Sequence, residues 1–401
     1  MHSRITRSTN LPNSLESSSR SRRSHTVNLD LPETPEQLTA EWLSQALGWP
    51  INSVEQQILG QGQGFLGDIV RLRLTSEDTE TPDSVIAKLP KKANRGVGEM
   101  LGVYEREIMF FEELATQVPA RTPQVFFSHF DRDAGSEKQK QILKTFDRLP
   151  RFLIPVVAAI GARVAAGKNR KYLMIMEDLG SLEMGDQLAG ASIEQCSQVL
   201  AHIAGTHRFF WNSASLQEKF WLLPMDIDSR MGHWMFKRSL PAFMEIAAPE
   251  MKAHLEWLGT NGAALKKSFT RDAPHTLVHG DLRLDNVCFD TDTCAYLDWQ
   301  LTRVGPAVYD IAYFLGGALP PETTASDERD LLHAYHRLLD VDDYPFESLC
   351  RDYQRALMLT VSSLSPSEDI AIDPGRGQEM MSHWLERLNA RLQHVELSTL
   401  L

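Results

Sequence analysis

The stretch Leu277-Val278-His279-Gly280-Asp281-Leu282-Arg283-Leu284-Asp285-Asn286-Val287-Cys288-Phe289, followed by Ala295-Tyr296-Leu297-Asp298-Trp299-Gln300, constrains this chain more than any other. Two apolar runs of strand character bracket a polar turn that holds Asp281 and Asn286, and Asp298 stands at the end of the next strand. Side-chain oxygens placed in this way can converge. Phosphoryl transfer needs such a set: a carboxylate to accept a hydroxyl proton, and hard oxygen ligands for Mg²⁺, which gathers one or two protein carboxylates beside phosphate oxygens. On this reading Asp281 is the base, and Asn286 and Asp298 hold the metal. A polar β-turn with an aspartate cap accounts for any one of these residues but not for the whole spacing.

Two upstream features bear on the same chemistry. Gly62-Gln63-Gly64-Phe65-Leu66-Gly67 is a GxGxxG in which missing side chains let backbone N–H groups approach a phosphate. In a dinucleotide-binding unit its last glycine should open a helix, but Asp68 to Leu74 alternates like a strand, which disfavours a nicotinamide-dependent dehydrogenase. A hairpin loop over a nucleotide is preferred to that, with a plain glycine turn as the bland alternative. One strand further on, Lys88 lies inside the apolar run Val85-Ile86-Ala87-Lys88-Leu89, where an unpaired ammonium is costly. Glu107 can supply the counter-charge, so that the pair presents the ammonium to phosphates. The alternative is a lysine snorkelling from a strand edge.

The rest of the chain divides into a strand-rich part and a helix-rich part. Thr34-Pro35-Glu36-Gln37 predicts a capped helix whose face carries Leu38, Trp42, Leu43 and Leu47, ending at Gly48. Strands are predicted over Val54 to Gly60, Ile69 to Thr75, Ser84 to Leu89, Gln124 to Phe130 and Lys171 to Met176, with a helix over Met100 to Ala115. From Ser192 onward helices dominate, interrupted by strands only between Thr276 and Leu301. Residues 1–28 hold eight serines, five arginines and one acid, too little apolar surface to offset the entropy of ordering. They read as a solvated tail or, alternatively, as an organelle-targeting segment.

With 401 residues, two lobes are expected. The net charge of -12 argues against a nucleic-acid partner, and the longest uncharged apolar run, Phe152 to Ala162, is too short to cross a bilayer. The four cysteines lie far apart or, for Cys288 and Cys294, at a spacing that matches no metal or redox motif, which fits a reducing, cytoplasmic setting. Oligomeric state is not legible.

His279-Gly280-Asp281-x-x-x-x-Asn286 followed by Asp298 resembles the aminoglycoside phosphotransferase and choline kinase-like family, including its ecdysteroid kinase-like relatives, over roughly residues 50 to 390. The resemblance implies an α+β, two-lobed protein kinase-like fold, with a small antiparallel-sheet N-lobe (33–178) and a larger helical C-lobe (179–401) after a tail over 1–32. It also implies ATP and Mg²⁺ as cofactors and transfer of the γ-phosphoryl group to a small-molecule alcohol. Matched residue by residue, Asp281 takes the catalytic position, Asn286 and Asp298 the metal positions, and Lys88 with Glu107 the phosphate-positioning pair, beneath the glycines Gly62, Gly64 and Gly67. Met176-Glu177-Asp178-Leu179 resembles the hinge, implying adenine recognition by backbone groups of Glu177 and Leu179. His279 and Asp310 support the catalytic loop, and Arg283 either touches the transferred phosphate or is a solvated turn residue. Trp299-Gln300 stands where protein kinases have Phe-Gly, which disfavours a protein substrate. The competing class is a nucleotide-binding pseudokinase or scaffold, although a pure binder needs no proton acceptor.

Two further expectations concern the acceptor side. The segment 131–170 is read as a helical insertion packed on the small lobe, with covering the substrate site, contacting another subunit or touching a membrane surface as alternatives. Trp211, Trp221 and Trp234 lie where the family builds its substrate pocket; aromatics there are more often core than ligand cage, though these three would suit a bulky apolar or polyketide-like alcohol. The acidic composition leans instead toward a cationic one.

Overall fold

Short alternating runs near the N-terminus pair into one antiparallel sheet, and the reason is visible strand by strand. The computed structural model describes residues 30–59, 67–91, 95–132, 139–150, 170–364 and 375–401, with a few positions between 150 and 170. Pro35–Gln37 forms a single 3-10 turn, and α1 (Ala40–Leu47) starts afresh where the Thr39 hydroxyl accepts from Trp42 N–H at 3.2 Å. The one helix expected from Thr34 is therefore two elements, because Thr39 offers a second cap and Leu38 leaves the helical conformation to bury itself. Gly48 ends α1 in the left-handed region at φ +72°, as expected of a C-terminal glycine.

The strands β1 (Ile51–Leu59), β2 (Gly67–Ser76) and β3 (Ser84–Pro90) precede the helices α2 (Arg95–Leu101) and α3 (Val103–Glu113). The single helix expected from Met100 to Ala115 breaks at Gly102, whose φ of +64° an L side chain rarely adopts. Then follow β4 (Val125–Phe130), α4 (Gln139–Arg148) and β5 (Tyr172–Glu177), and the sheet order is β1-β2-β3-β5-β4. Period two decides what each strand face sees. In β3, Val85, Ala87 and Leu89 are buried against α1 together with Val70, Leu72, Leu173 and Ile175. Ile86 and Lys88 consequently point to the opposite face, toward the helical region.

That region opens with β6 (Glu183–Met184) and α5 (Ile193–Phe209). The Ser192 capping box is formed, with Gln195 N–H on Ser192 Oγ and Ser192 N–H on Gln195 Oε1. It continues through α6 (Ala214–Glu218), α7 (Ser229–Ile246), α8 (Pro249–Asp272), β7 (His275–Val278), β8 (Val287–Asp290), β9 (Thr293–Tyr296) and β10 (Arg303–Pro306). The helices α9 (Val308–Ala318), α10 (Ala325–Leu339), α11 (Phe346–Ser363) and α12 (Arg376–Leu392) complete it. Strand β10, for which Arg303-Val304-Gly305-Pro306 gives no alternation signal, exists because it pairs antiparallel with β7, placing Arg303 opposite Val278. Strands β6, β8 and β9 form a second small sheet. One apolar core runs from α3 through α5, α8, α9 and α11.

Only part of the insertion is described, and its helix meets the helical region in place of the small lobe. Its described helix, α4, docks on the start of α7: Leu143 is buried with Leu223 and Ile227, and Asp147 Oδ1 accepts from Arg230 N–H at 2.7 Å. A carboxylate at a helix N-terminus satisfies otherwise orphaned donors, which fixes α4 to the helical region instead. Most of Phe152 to Ile160 lies outside the described residues, as do residues 1–29 of the tail. Among the described residues, no helix is long and apolar enough to cross a membrane.

Candidate active site

The link between β7 and β8 is the polar turn, and Asp310 of α9 sets its shape. The buried Asp310 carboxylate accepts from His279 N–H at 2.6 Å and His207 Nε2 at 3.2 Å through Oδ2, and from Gly280 N–H at 2.9 Å through Oδ1. Gly280 holds φ +83°, and a Cβ there would collide with the Leu301 carbonyl oxygen, so glycine is required on both counts. His279 donates through Nε2 to Leu297 C=O and receives Asp281 N–H at Nδ1, bracing the turn against the segment that leads from β9 to Asp298. Asp281 then projects with its two oxygens held apart: Tyr313 O–H donates to Oδ1 at 2.9 Å, and Asn286 Nδ2 to Oδ2 at 3.1 Å. Burial raises the Asp281 carboxyl above the ordinary carboxylate range, against the pull of the Arg283 guanidinium.

Asn286 and Asp298 are brought beside it by main chain, since Leu297 N–H donates to Asn286 C=O at 2.9 Å. With its amide nitrogen committed to Asp281 C=O and Oδ2, Asn286 keeps its side-chain oxygen for another ligand. Asp298 adopts a left-handed backbone at φ +63° and ψ +61°, a conformation Asp tolerates better than most residues and one often met at functional sites. Its Oδ1 lies 3.1 Å from Lys88 Nζ, and Oδ2 receives Gln300 Nε2 at 3.2 Å. These are hard oxygen donors of the kind Mg²⁺ takes, and an amide plus a carboxylate leaves room for phosphate oxygens, so the residues fit the ion.

Lys88 also meets Glu107 Oε1 at 2.6 Å, so one ammonium serves two carboxylates. Burial alone would lower the lysine pKa, but Asp298 and Glu107 outweigh it and hold it above the usual lysine value. Burial, assisted by Asp298, raises Glu107. The helix α3 that carries Glu107 is locked to the turn after Asp298: Phe110 stacks on Trp299 at 4.2 Å, and Arg106 Nη1 donates to Gln300 C=O. Trp299-Gln300 thus joins α3 to the turn that carries the expected metal ligand Asp298.

A cleft of about 440 Å³ gathers Gly67, Lys88, Glu107, Glu177, Leu179, Asp281, Arg283, Asn286 and Asp298 on one lining. Gly62 and Gly64 lie outside the described residues. At Gly67 a Cβ would stand 3.3 Å from Leu89 C=O, a close approach of the two backbones. The Glu177 carboxylate is turned to Arg121 and Gln124 N–H, while Leu179 packs its side chain on Cys288 and Ala295. Past them, Arg71 and Ser84 grip Asp178 at 2.6 and 2.7 Å, and Gly180 N–H also donates to it. The Arg283 side chain is about 10% exposed and lies between Asp281, at 3.5 Å, and Asp285, at 2.5 Å, so it is ion-paired and not freely solvated.

A second cavity of about 640 Å³ lies on the other side of the turn, lined by α7, α8, α9 and α11 together with Gly280, Leu301 and Arg303. The two cavities share no lining residue and meet at the sequence neighbours Gly280/Asp281 and Gln300/Leu301. Of Trp211, Trp221 and Trp234, only Trp234 lines this cavity. Trp221 is core, and Trp211 reaches Asp343 from the far end of α5. Sequence reasoning passed over Tyr313 and His207, both in contact with the turn's key aspartates. A signal existed for Tyr313, which stands three positions after Asp310 on one helix and so shares its face. His207 shares a helical face with the apolar Val199, Leu200 and Ile203, and nothing local sets it apart from a core histidine.

Comparison with known proteins supplies the context. A segment of 69 residues is 38% identical to human acyl-CoA dehydrogenase family member 11, covering 16% of this chain and 8% of the relative. A mouse protein, acyl-CoA dehydrogenase family member 10, matches over 68 residues at 37%, with 6% of its length covered. Among solved structures, the gentamicin complex of APH(2")-IIa aligns with a TM-score of 0.50 at 13% identity, covering 93% of this chain and 100% of that one. Plasmodium vivax ethanolamine kinase aligns with a TM-score of 0.48 at 12% identity over 92% of this chain and 91% of its own. The former likeness identifies the protein kinase-like fold. Residues 61–342, well over half the sequence and including the whole of both apolar strands and their polar turn, match the model of the ecdysteroid kinase-like family, and the chain belongs to that family.

Proposed function

We propose that this chain transfers the γ-phosphoryl group of ATP to the hydroxyl of a small-molecule alcohol. The observation that carries the reading is the placement of Asp281. It is a partly buried carboxylate held by Tyr313 and Asn286 at the seam between two cavities, one of which also contains the Lys88–Glu107–Asp298 cluster. A nucleotide in the smaller cleft meets backbone of Glu177 and Leu179 at one end and the Lys88 ammonium at the other. Bound through Asn286 and Asp298, Mg²⁺ would neutralise phosphate charge. The acceptor oxygen approaches from the larger cavity and forms the new bond to phosphorus as the bond to the β,γ-bridging oxygen breaks. Its proton passes to Asp281, and ADP departs with the electron pair. Positioning and electrostatics supply most of the acceleration, and the raised pKa of Asp281 makes it a better proton acceptor than an exposed aspartate.

The test is Asp281→Asn, which keeps the shape and removes the basicity. Turnover on a panel of alcohols should fall by about 10²- to 10⁴-fold, the usual worth of a general base, while ADP affinity measured calorimetrically stays close to that of the unaltered protein. Undiminished turnover in the variant would refute the assignment.

A further inference from the structure

The chain leaving β5 beside the smaller cleft is pinned by side chains from two other strands. Period two sends Val70 and Leu72 of β2 into the core against α1 and leaves Ile69 and Arg71 on the opposite face, where both line the cleft. Arg71 meets Asp178 there as a two-pronged fork, with Nε donating to Oδ2 at 2.6 Å and Nη2 to Oδ1 at 3.1 Å. Two more donors close on the same carboxylate, Ser84 Oγ on Oδ2 at 2.7 Å and Gly180 N–H on Oδ1 at 2.9 Å. Ser84 adjoins Val85, the register partner of Glu177, so Asp178 ties β2 and the start of β3 to the chain leaving β5. A Cβ on Gly180 would strike the Arg71 guanidinium, so the fork lies directly on that backbone. Glu177 is fixed from another side, its N–H donating to Gln124 C=O at 2.8 Å and its carboxylate accepting from Gln124 N–H at 3.1 Å. Arg71, Glu177, Asp178 and Gly180 also line a further cavity of about 560 Å³. The segment from Glu177 to Gly180 thus borders two spaces, and these polar bonds take the part that core packing takes elsewhere.

Resting on the nucleotide reading of the smaller cleft and deepening it, we propose that Asp178, clamped by Arg71 and Ser84, is the positioning residue that sets the backbone of Glu177 and Leu179 to the edge of an adenine, and so gives the cleft its choice of base. Backbone groups select a base only where the main chain is held to within about 0.5 Å. Asp178 stands between the two recognising residues, its side chain is 7% exposed, and its donors come from β2, β3 and the segment itself. Burial alone would raise its pKa, but the bonds from Arg71, Ser84 and Gly180 outweigh it and hold the carboxyl below the ordinary aspartate value. The 6-amino group of adenine donates to a backbone carbonyl, whereas the 6-oxo group of hypoxanthine cannot, so the two bases report on this backbone. The phosphate end of the cleft has its own charge cluster, Lys88 with Glu107 and Asp298, which shares no residue with the Arg71–Asp178 pair. Base and phosphate contributions are therefore separable.

The experiment measures the calorimetric affinity of the full chain, with Mg²⁺ present, for ADP, IDP and tripolyphosphate. The unaltered protein should bind ADP at least about 5-fold more tightly than IDP, the worth of one hydrogen bond. Asp178→Asn keeps the volume but sets an NH₂ group against donors. It should bring the preference to within about 2-fold by weakening ADP, with tripolyphosphate bound as before. Arg71→Met removes the fork while keeping an apolar stem, should have the same effect, and decides the matter where thermal unfolding shows that Asp178→Asn does not fold. A preference retained in the variants, an equal fall for ADP and tripolyphosphate, or equal binding of ADP and IDP by the unaltered protein overturns the proposal. Failure of the phosphotransferase reading alone looks different: the base preference and its loss are as stated, yet no alcohol of the panel is phosphorylated, and the role of Asp178 stands. If the unaltered protein binds neither nucleotide, both readings fall.

Discussion

Asp310→Asn tests whether one carboxylate holds the catalytic turn in shape. Asp310 receives three donors, the main-chain N–H groups of His279 and Gly280 and the ring of His207, and it is wholly buried. An asparagine keeps the volume but turns one oxygen into an NH₂ group, so in either amide orientation at least one N–H faces another N–H. Losing a hydrogen bond to a charged acceptor costs about 1.5–3 kcal/mol, and weakening the remaining bonds to a neutral acceptor adds roughly 1 kcal/mol each. The expected destabilisation is therefore about 3–5 kcal/mol, a large part of the ~5–15 kcal/mol by which domains are stable. Urea unfolding followed by tryptophan fluorescence measures it. Since the bonds lost are those that place Asp281, turnover should fall by about 100-fold, the usual penalty for a displacement near 1 Å, with ADP affinity little altered. Stability within about 0.5 kcal/mol of the unaltered protein would show that the turn is held by something else, and the reasoning would fail.

Two further outcomes are expected. Lys88→Met leaves Glu107 and Asp298 facing each other without their ammonium, and breaking a buried pair costs about 3–5 kcal/mol. Adding Glu107→Leu should recover much of the thermal stability without restoring nucleotide affinity, and a double variant no more stable than the single would contradict the pairing. For Asp228, burial raises the pKa but Lys266 and Arg303 outweigh it, so the folded value lies below the unfolded one. Its stabilisation is thus fully present above the ordinary aspartate pKa of about 3.9 and fades as pH falls below that toward the folded value. The stability gap between the unaltered protein and Asp228→Asn should be flat above about pH 5 and shrink in stronger acid, measured by thermal unfolding across pH; a gap that persists undiminished to about pH 3 would remove the argument.

How much of this was legible in the sequence depends on whether the signal is local. The alternation in Val85 to Leu89 placed Lys88 on the face opposite the buried residues, and the spacing from His279 to Asp298 put three oxygens on one cleft lining, because period and turn length act over a few residues. Capping boxes were readable at Ser192, yet at Thr34 the same signal was cut short by Thr39, a competition between neighbours that only packing of Leu38 decides. Gly102 likewise ended a helix that propensity alone would continue. Partners far apart in sequence were out of reach. The docking of α4 on α7, the pairing of β10 with β7 and the sharing of Asp228 between Lys266 and Arg303 each join segments separated by tens of residues.

The seam at Gly280/Asp281 and Gln300/Leu301 has a kinetic consequence. Two chambers with separate linings do not compete for space, so neither guest must leave before the other enters. Initial-velocity lines at varied concentrations of both substrates should intersect, the mark of a ternary complex, in place of the parallel lines of a shuttle in which the enzyme itself is modified.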